Sequence, residues 1–369
     1  MDFRVLRTSG RARAGLLETP HGTVATPAFM PVATQGTVKG VTPRDLREMG
    51  AEILLVNAYH LFLRPGVDVV EELGGVHRFM GWEGPILADS GGYQILSLET
   101  LRRVTDEGVE FRSHLDGSRL FLRPEDVVRI QVRLGVDILM PLDECLGAGA
   151  TRGEARAALR RTLDWLRRSL EVELRPGQAL FGIVQGGLFP DLRREAVEAL
   201  VRYGVPGYAV GGLSVGEEGS VTREVADATA ELLPAECPRY LMGVGFPEDL
   251  IRFVGMGYDL FDCVLPTRNA RNGMAFTSEG RKNLRLARYA RDPGPLDPAC
   301  TCYVCTNFTL GYLRHLAASG EMLGAQLTTY HNLSFYFRLV REMREALLDD
   351  RFSGWASDRL AKLGVGGSE

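Results

Sequence analysis

The chain lacks long apolar runs and the cysteine content of a disulfide-stabilised protein. None of its 369 residues falls in an apolar run of about 18 residues, so the sequence predicts no membrane span. Arg4, Arg7, Arg11 and Arg13 interrupt the N-terminal segment, so no secretory signal peptide is expected. The six cysteines are too few for a disulfide framework in a chain of this size. Together these absences predict a cytoplasmic protein.

Lysine is also scarce, and arginine supplies nearly all of the positive charge. The lysines are Lys39, Lys282 and Lys362, and the formal net charge of −4 does not indicate a nucleic-acid-binding protein. The cations are unevenly placed, however, since residues 268–291 contain seven of them against one acid, Glu279. A local charge of about +6 predicts a polyanion-binding stripe. The alternative is a solvated face that acidic residues elsewhere in the fold balance.

What the sequence does contain is a series of eight short apolar runs, most of them separated by amphipathic segments of helical period. This alternation predicts a single α/β domain over residues 1–369, a closed (β/α)8 TIM barrel. Turn signals in residues 1–26 predict a hairpin cap in front of it. An open doubly wound sheet is the alternative, but no Gly-rich phosphate loop follows the first strand. The runs are 29–33, 53–57, 85–89, 137–143, 180–185, 208–212, 240–245 and 258–265.

Polar residues and glycines end these runs. In a parallel barrel the carboxyl ends of the strands surround one mouth, where active sites are built. Amides and carboxylates there can hydrogen-bond a polar heterocycle, and glycines allow a flat ligand to approach the backbone. Polar residues that merely cap the barrel are the alternative. The residues at the ends are Asn57, Asp89, Asp143, Gln185, Gly211, Gly212, Gly243 and Asp262.

The last run carries Asp262 and is followed closely by Arg268 and Arg271. A carboxylate in a buried strand is costly unless it has a partner or a task. Arginines beside it are suited to binding phosphate through paired hydrogen bonds. The segment therefore favours a carboxylate that acts on a phosphate-bearing substrate, although a structural Asp–Arg ion pair is an equal alternative.

Three cysteines in the order C-x-C-x2-C, Cys300, Cys302 and Cys305, precede His331 by 25 residues. Three thiolates and one imidazole make a closed tetrahedral zinc site, which predicts a structural zinc in a subdomain of about residues 292–335. His315 and His60 could compete as the fourth ligand. We favour His331 because it opens a predicted amphipathic helix that needs anchoring.

Ordered motifs run along the chain in addition to the Asp262 segment and the cysteine cluster. They are Met30-Pro-Val-Ala-Thr34, Asn57-Ala-Tyr-His-Leu61, Asp89-Ser-Gly-Gly-Tyr-Gln94, Ser113-His-Leu-Asp-Gly-Ser118, Asp143-Glu-Cys145, Gly182-Ile-Val-Gln-Gly-Gly187, Tyr208-Ala-Val-Gly-Gly-Leu213 and Tyr240-Leu-Met-Gly-Val-Gly245. In these motifs the chain resembles the bacterial tRNA-guanine transglycosylases over essentially its whole length. That family is a zinc-bearing (β/α)8 barrel, in agreement with the pattern of strands and cysteines.

The resemblance implies base exchange at the wobble position of tRNA, with guanine replaced by 7-aminomethyl-7-deazaguanine on the route to queuosine. It implies that Asp262 is the nucleophile and Asp89 the general acid and base of two successive displacements. Tyr93 and Met242 are expected to sandwich the base. Residues expected to bind the base edge or its substituent are Asp143, Cys145, Gln185, Gly212, Leu213 and Glu217.

The same resemblance implies tRNA contacts by Arg268, Arg271 and Lys39. It also implies a homodimer through aromatic residues near the zinc, here Phe79, Phe308, Tyr312 and His315. The spacing of the last three places them on one helix face. Packing of this stripe inside its own subunit is the alternative.

Cys145 and Val215 follow the bacterial pattern of the family, which is the basis for the aminomethyl base. Two positions depart from that pattern: Phe246 stands where a lysine is usual and Ser214 where an alanine is usual. A barrel hydrolase of free nucleosides and a non-catalytic RNA-binding subunit are the competing functions. The basic segment argues against the first, and the presence of both Asp262 and Asp89 argues against the second.

Overall fold

The computed structural model describes residues 1–92 and 102–364. The strands it contains, in chain order, are β1 (Asp2–Ser9), β2 (Ala12–Thr19), β3 (Gly22–Thr26), β4 (Ala28–Ala33), β5 (Leu54–Asn57), β6 (Ile86–Asp89), β7 (Arg102–Thr105), β8 (Gly108–Arg112), β9 (Arg119–Leu122), β10 (Ile138–Leu139), β11 (Ala179–Leu180), β12 (Gly182–Val184), β13 (Tyr208–Val210), β14 (Arg239–Leu241), β15 (Leu260–Cys263), β16 (Met274–Thr277) and β17 (Gly280–Asn283).

Nine of these strands form one parallel sheet in the order β11, β10, β6, β5, β4, β15, β14, β13, β12. The two end strands, β11 and β12, are separated in the chain only by Phe181. Before this residue the chain pairs with β10, and after it the chain pairs with β13. The Phe181 N–H donates to the Leu139 carbonyl at 3.0 Å, and the Gly182 N–H donates to the Gly207 carbonyl at 2.9 Å. The sheet therefore curls into a barrel of eight staves. Each of the eight predicted runs contributes one stave, which confirms the barrel and excludes the open sheet.

Alternate side chains along each stave point into the barrel, where they fill its interior and line its mouth. Because successive residues of a strand point to opposite faces, Leu87 and Asp89 share one face, as do Leu260 and Asp262. Leu87 and Leu260 are fully buried in the interior cluster together with Met30, Leu55, Ile138 and Ile183. The alternation that fills the interior with apolar groups thus places both carboxylates inside the barrel at its carboxyl end.

The amino end of the barrel is closed by the antiparallel sheet of β1, β2 and β3, as the turn signals predicted. Leu17 and Val24 of this sheet are fully buried in the interior cluster. Arg13 is joined to the buried Asp259 just before β15, with its Nε donating to Asp259 Oδ1 at 2.9 Å. This closure leaves the opposite end as the open mouth.

The helices are α1 (Pro43–Met49), α2 (Ala58–Leu63), α3 (Val67–Glu72), α4 (Gly75–Met80), α5 (Pro124–Leu134), α6 (Arg152–Ser169), α7 (Pro190–Tyr203), α8 (Gly219–Ala230), α9 (Pro247–Gly255), α10 (Leu265–Arg271), α11 (Tyr303–Asn307), α12 (Leu310–Ser319), α13 (Met322–Leu348) and α14 (Phe352–Lys362). No helix in the described ranges is long and apolar enough to cross a membrane.

Two helical predictions were wrong in detail. His331 does not open a helix but lies inside α13, which begins at Met322. The chain between these two residues contains no proline, and its one glycine, Gly324, falls in the first turn. Phe308 does not share a helix with Tyr312, since it ends α11 in an extended conformation and Thr309 caps α12 after it.

Two additions flank the barrel. The antiparallel sheet of β7, β8 and β9 lies between the third stave and α5 along the chain, and the sequence analysis did not predict it. A separate apolar cluster surrounds the cysteine segment and includes Leu296, Cys300, Val304 and Leu313. This second cluster gives the cysteine-rich segment a core of its own.

Candidate active site and metal centre

Asp262 lies inside the mouth of the barrel and accepts two hydrogen bonds on one oxygen. The Tyr240 hydroxyl donates to Asp262 Oδ1 at 2.6 Å, and the Gly243 N–H donates to the same atom at 2.8 Å. Burial raises the pKa of Asp262 above its ordinary value, and these two hydrogen bonds oppose that rise. The arrangement stabilises the charged carboxylate while Oδ2 takes no part in either bond.

Asp89 ends the third stave, directly beside Asn57 in the sheet register. Asn57 Nδ2 donates to Asp89 Oδ2 at 2.9 Å, and the Gly91 N–H donates to Asp89 Oδ1 at 2.5 Å. Burial, the charge of Asp262 and a smaller effect of the Asp89 charge raise the pKa of Tyr240 well above its ordinary value. Both carboxylates therefore lie near the phenol of Tyr240, which indicates that they share the mouth of the barrel.

A second polar pair lies deeper at the mouth. Gln185 Nε2 donates to Asp143 Oδ2 at 2.7 Å, and both side chains are buried. Burial raises the pKa of Asp143 to about 6, although the Gln185 hydrogen bond opposes the rise. Burial also raises the pKa of the neighbouring Cys145 thiol to about 12, so this cysteine is a neutral group. The pair presents both a hydrogen-bond acceptor and a donor in a desolvated pocket.

Glycines surround this pair because no side chain would fit. A Cβ on Gly212 would lie 2.4 Å from Gln185 Oε1, and Gly212 has a φ of 67°. A Cβ on Gly92 would lie 2.6 Å from Asp143 Oδ1. The backbone of the loop after β13 is thus in direct contact with the buried amide.

Glu217 holds the next turn of that loop. Its carboxylate accepts from the N–H of Ser214, from the N–H of Val215 at 3.0 Å and from the hydroxyl of Thr222 at 2.6 Å. Burial alone would raise the pKa of Glu217, but these hydrogen bonds lower it below its ordinary value. Ser214 has a φ of 59°. The Leu213–Ser214 peptide is therefore fixed by an ionised carboxylate.

Arg193 is a residue of this region that the sequence analysis missed. It projects from α7 beneath the loop, and only 1% of it is exposed. Its guanidinium donates to the carbonyl oxygens of Gly187 at 2.8 Å and Gly211 at 3.0 Å. A sequence signal did exist, since Arg193 falls on the apolar face of α7 beside Leu192 and Ala196.

The remaining predicted base-binding residues are placed as follows. Leu213 is buried and follows Gly211 and Gly212 in the chain. Met242 is half-buried, and its sulfur lies 3.5 Å from the position that a Cβ on Gly211 would take. Tyr93 lies outside the described residues. The structure therefore brings together every predicted base-binding residue that it describes.

Exposed cations lie around the mouth. Arg268 and Arg271 are on α10, which begins two residues after β15, and both are exposed. Arg271 lines one groove with Lys39, which approaches from the loop after β4. The guanidinium of Arg281 lies 4.8 Å from the centre of the Phe246 ring and 3.1 Å from Glu248. A cation therefore lies directly over the phenylalanine that replaces the usual lysine.

The four predicted metal ligands converge. The sulfurs of Cys300, Cys302 and Cys305 and a ring nitrogen of His331 all lie within 4.8 Å of one another. His331 Nδ1 is 3.3 Å from Cys305 Sγ, and His331 Nε2 lies 2.8 Å from the Phe276 carbonyl. An Nε2–H bonded to that carbonyl leaves Nδ1 free to bind a metal. Neither His60 nor His315 belongs to the group, so this group can hold a metal ion through the predicted set.

The aromatic residues near the cysteines form a partly exposed cluster. The rings of Phe308 and Tyr312 stack with centres 5.6 Å apart, and Tyr303 meets the Phe308 ring edge-on at the same distance. Tyr303 is 53% exposed and Tyr312 is 39% exposed. His315 and Phe79 are also exposed. Tyr312 and His315 of the stripe are therefore exposed, whereas Phe308 is partly buried against the apolar cluster around the cysteines.

Comparison with known proteins identifies the family of the chain. The family described as Queuine tRNA-ribosyltransferase matches residues 8–364. Proteins of that name include one from Halothermothrix orenii, 53% identical over 95% of this chain and 94% of its own length. One from Caldanaerobacter subterraneus is 52% identical over 98% of this chain and 97% of its own. One from Pelotomaculum thermopropionicum is 54% identical, covering 95% of each chain. The chain belongs to the queuine tRNA-ribosyltransferase family.

Proposed function

We propose that the protein exchanges guanine at the wobble position of tRNA for 7-aminomethyl-7-deazaguanine. The observation that carries the proposal is the mouth itself, where Asp262 and Asp89 lie beside the buried pair of Asp143 and Gln185. Two carboxylates suit the breaking and remaking of a glycosidic bond. A buried acceptor and donor suit the edge of a guanine-like base. Relatives that carry the name queuine tRNA-ribosyltransferase support both parts.

In the first displacement, an oxygen of Asp262 bonds to the anomeric carbon of the ribose as the bond to guanine breaks. The hydrogen bonds from Tyr240 and Gly243 to Oδ1 favour the charged form of this carboxylate and oppose the effect of burial. A charged carboxylate is the nucleophilic form. Asp89 supplies the proton that the departing guanine nitrogen takes up.

In the second displacement, Asp89 accepts a proton from the incoming base. The ring nitrogen of that base then bonds to the anomeric carbon, and the bond to Asp262 breaks. Two inversions leave the ribose with its original configuration. Water must be excluded while the intermediate exists, because it would otherwise hydrolyse the bond between Asp262 and the ribose.

The base edge is bound by the buried pair. Asp143 accepts from the ring N–H and amino group of the base, while Gln185 and the N–H groups of Gly212 and Leu213 face its oxo group. The Leu213 carbonyl, fixed through Glu217, accepts from the aminomethyl substituent. Cys145 remains neutral beside the base, and Met242 covers one ring face, with Tyr93 as the partner on the other.

The phosphates of the anticodon loop bind to Arg268, Arg271 and Lys39. The exposure of these cations and the groove shared by Lys39 and Arg271 support this role. Arg281 stacks on Phe246 and supplies a positive charge at the position where the family pattern has a lysine. Because single-stranded loops allow bases to leave the stack, the target guanine reaches the mouth at modest cost.

Zinc at Cys300, Cys302, Cys305 and His331 has a structural role, since three thiolates and an imidazole leave no open coordination position. When bound, the ion cross-links the cysteine segment to α13. The exposed cluster of Phe308 and Tyr312, with His315 and Phe79 as further contacts, supports a two-fold homodimer through this face.

The experiment is incorporation of labelled guanine into unmodified tRNA with G at the wobble position. We expect label in this tRNA and none in one whose wobble base is changed. Asp262→Asn should abolish incorporation with the fold intact, and Asp89→Asn should leave almost none. Release of guanine from free guanosine, without label in tRNA, would instead identify a nucleoside hydrolase. No reaction with either substrate would point to a non-catalytic subunit.

A further inference from the structure

Arg193 is a buried cation whose partners are all main-chain carbonyls. Besides Gly187 and Gly211, its guanidinium lies 3.4 Å from the Val184 oxygen and 3.5 Å from the Gly212 oxygen. No carboxylate in the described ranges lies within ion-pair distance of it. Burial lowers the pKa of Arg193 to about 10, so the group is still charged at neutral pH. A buried charge without a counter-ion is costly, which indicates a specific task.

The two loop carbonyls that Arg193 holds belong to the peptides that carry the N–H groups of Gly212 and Leu213. In a trans peptide the carbonyl and the N–H of the same plane point in opposite directions. Holding the Gly211 carbonyl on the α7 side therefore turns the Gly212 N–H toward the other side, where the pocket lies. The Gly212 carbonyl has the same relation to the Leu213 N–H.

A second observation places the Gly212 N–H on the pocket side. Although burial raises the pKa of Cys145, the Gly212 N–H and the Gln185 side chain both act in the opposite direction on that thiol. This N–H therefore lies near the same residues that form the base-edge pocket. Arg193 is on one side of the loop and the pocket is on the other.

We propose that Arg193 is a positioning residue that sets base specificity. By holding the Gly211 and Gly212 carbonyls, it aims two backbone N–H donors at the oxo group of the bound base. The proposal rests on the proposed function and adds to it the origin of preference for a 6-oxo base. Asp143 and Gln185 alone leave that preference weaker, because Gln185 Nε2 already donates one of its two hydrogens to Asp143.

The test uses two free bases, 7-deazaguanine and 2-amino-7-deazapurine, measured as inhibitors of guanine incorporation into tRNA. The second base lacks the 6-oxo group and, with it, the N1–H, so each base is compared between wild type and variant. In Arg193→Met, whose side chain has a similar length, we expect 7-deazaguanine to bind roughly 10- to 100-fold more weakly. The base without the oxo group should lose less than about threefold. The KM for guanine should rise by more than kcat falls, because the lost contact concerns base binding.

Arg193→Lys keeps the charge and reaches fewer carbonyls, so it should fall between the wild type and Arg193→Met. If Arg193→Met does not fold, the affinities of Arg193→Lys for the two bases test the positioning role instead. Arg194→Met is the matched control, since Arg194 is exposed on the same helix, and it should leave both constants unchanged. If the Arg193 variants lost affinity equally for the two bases, or lost none, the positioning role would be overturned. A wild type that exchanges no guanine would instead overturn the proposed function.

Discussion

The Tyr240 hydroxyl lies 2.6 Å from Asp262 Oδ1 and reaches it from the neighbouring stave. In the sheet register Tyr240 is opposite Leu260, so its phenol runs along the barrel interior toward the mouth. Tyr240 is fully buried, and it stays protonated because its pKa lies well above the ordinary value. The hydroxyl is therefore a fixed donor to the proposed nucleophile.

Tyr240→Phe removes that donor and leaves the Gly243 N–H as the other hydrogen bond to Asp262 Oδ1. A hydrogen bond to a charged group contributes about 1.5–3 kcal/mol, so exchange should fall roughly 10- to 100-fold at neutral pH. The pKa of Asp262 should rise, because a bond that favours its charged form is lost. The acidic limb of the pH–rate profile should therefore move to higher pH. An unchanged profile in a folded variant would show that Tyr240 does not tune Asp262.

Asp143→Asn should make the protein more stable while it weakens base binding. Burial raises the pKa of Asp143 to about 6, whereas the unfolded chain has an ordinary value near 4. Between these values the folded state binds more protons, so the free energy of unfolding of the wild type falls as pH rises from about 4 to about 6. The variant avoids this loss and should be more stable by up to about 3 kcal/mol above pH 6, with no difference below pH 4.

Urea unfolding of both proteins at several pH values between about 4 and 8 checks this prediction. Asp358→Asn, a change of an exposed carboxylate, is the control and should show no pH-dependent gap. Affinity for the free base should drop in the Asp143 variant at neutral pH, since an amide oxygen is a weaker acceptor than a carboxylate. A variant less stable than the wild type at pH 7 would mean that burial of the charged Asp143 carboxylate does not destabilise the folded protein.

The sequence predicted the barrel because its staves are buried on both faces and read as continuous apolar runs. It located Asp89 and Asp262 because the polar residue that ends each run falls at the mouth of any parallel barrel. The cysteine spacing was equally informative, since it brought three sulfurs and His331 together. In these cases the local pattern alone determines the position in the fold.

Other features depend on contacts between distant segments and left weak local signals. Arg193 is an arginine on an apolar helix face, and only the packing of α7 beneath the Gly211 loop shows what it binds. The reach of Tyr240 to Asp262 depends on strand register. The helix around His331 was misplaced because the predicted amphipathic period began after the point where the helix itself begins.

Cys302→Ser should reduce stability through loss of the metal. The serine hydroxyl is a poor replacement for a thiolate, and the cluster around Leu296, Val304 and Leu313 depends on the segment that the ion would hold. We expect the melting temperature to fall by roughly 5–10 °C and zinc content to fall with it. Dimer content should also drop, because the aromatic cluster adjoins this segment.

The control for this change is Cys237→Ser, since Cys237 is partly buried and outside the metal-binding group. It should leave zinc content, the melting temperature and the oligomeric state near those of the wild type. Analytical ultracentrifugation and metal analysis of the same samples check all three. If Cys302→Ser kept its zinc and its melting temperature, the structural role of the ion would be refuted.

Lys39→Ala and Arg271→Ala should weaken tRNA binding without altering binding of the free base. Both residues line one groove and are exposed, so each can neutralise one phosphate. Each change should lower the magnitude of the slope of log K against log salt by about 1, because one fewer counterion is released. Lys362→Ala is the matched control, since Lys362 is exposed on α14 at the end of the described chain. If the variants and the control gave parallel salt plots, the groove would not contact the RNA backbone, and the basic segment would be a solvated face.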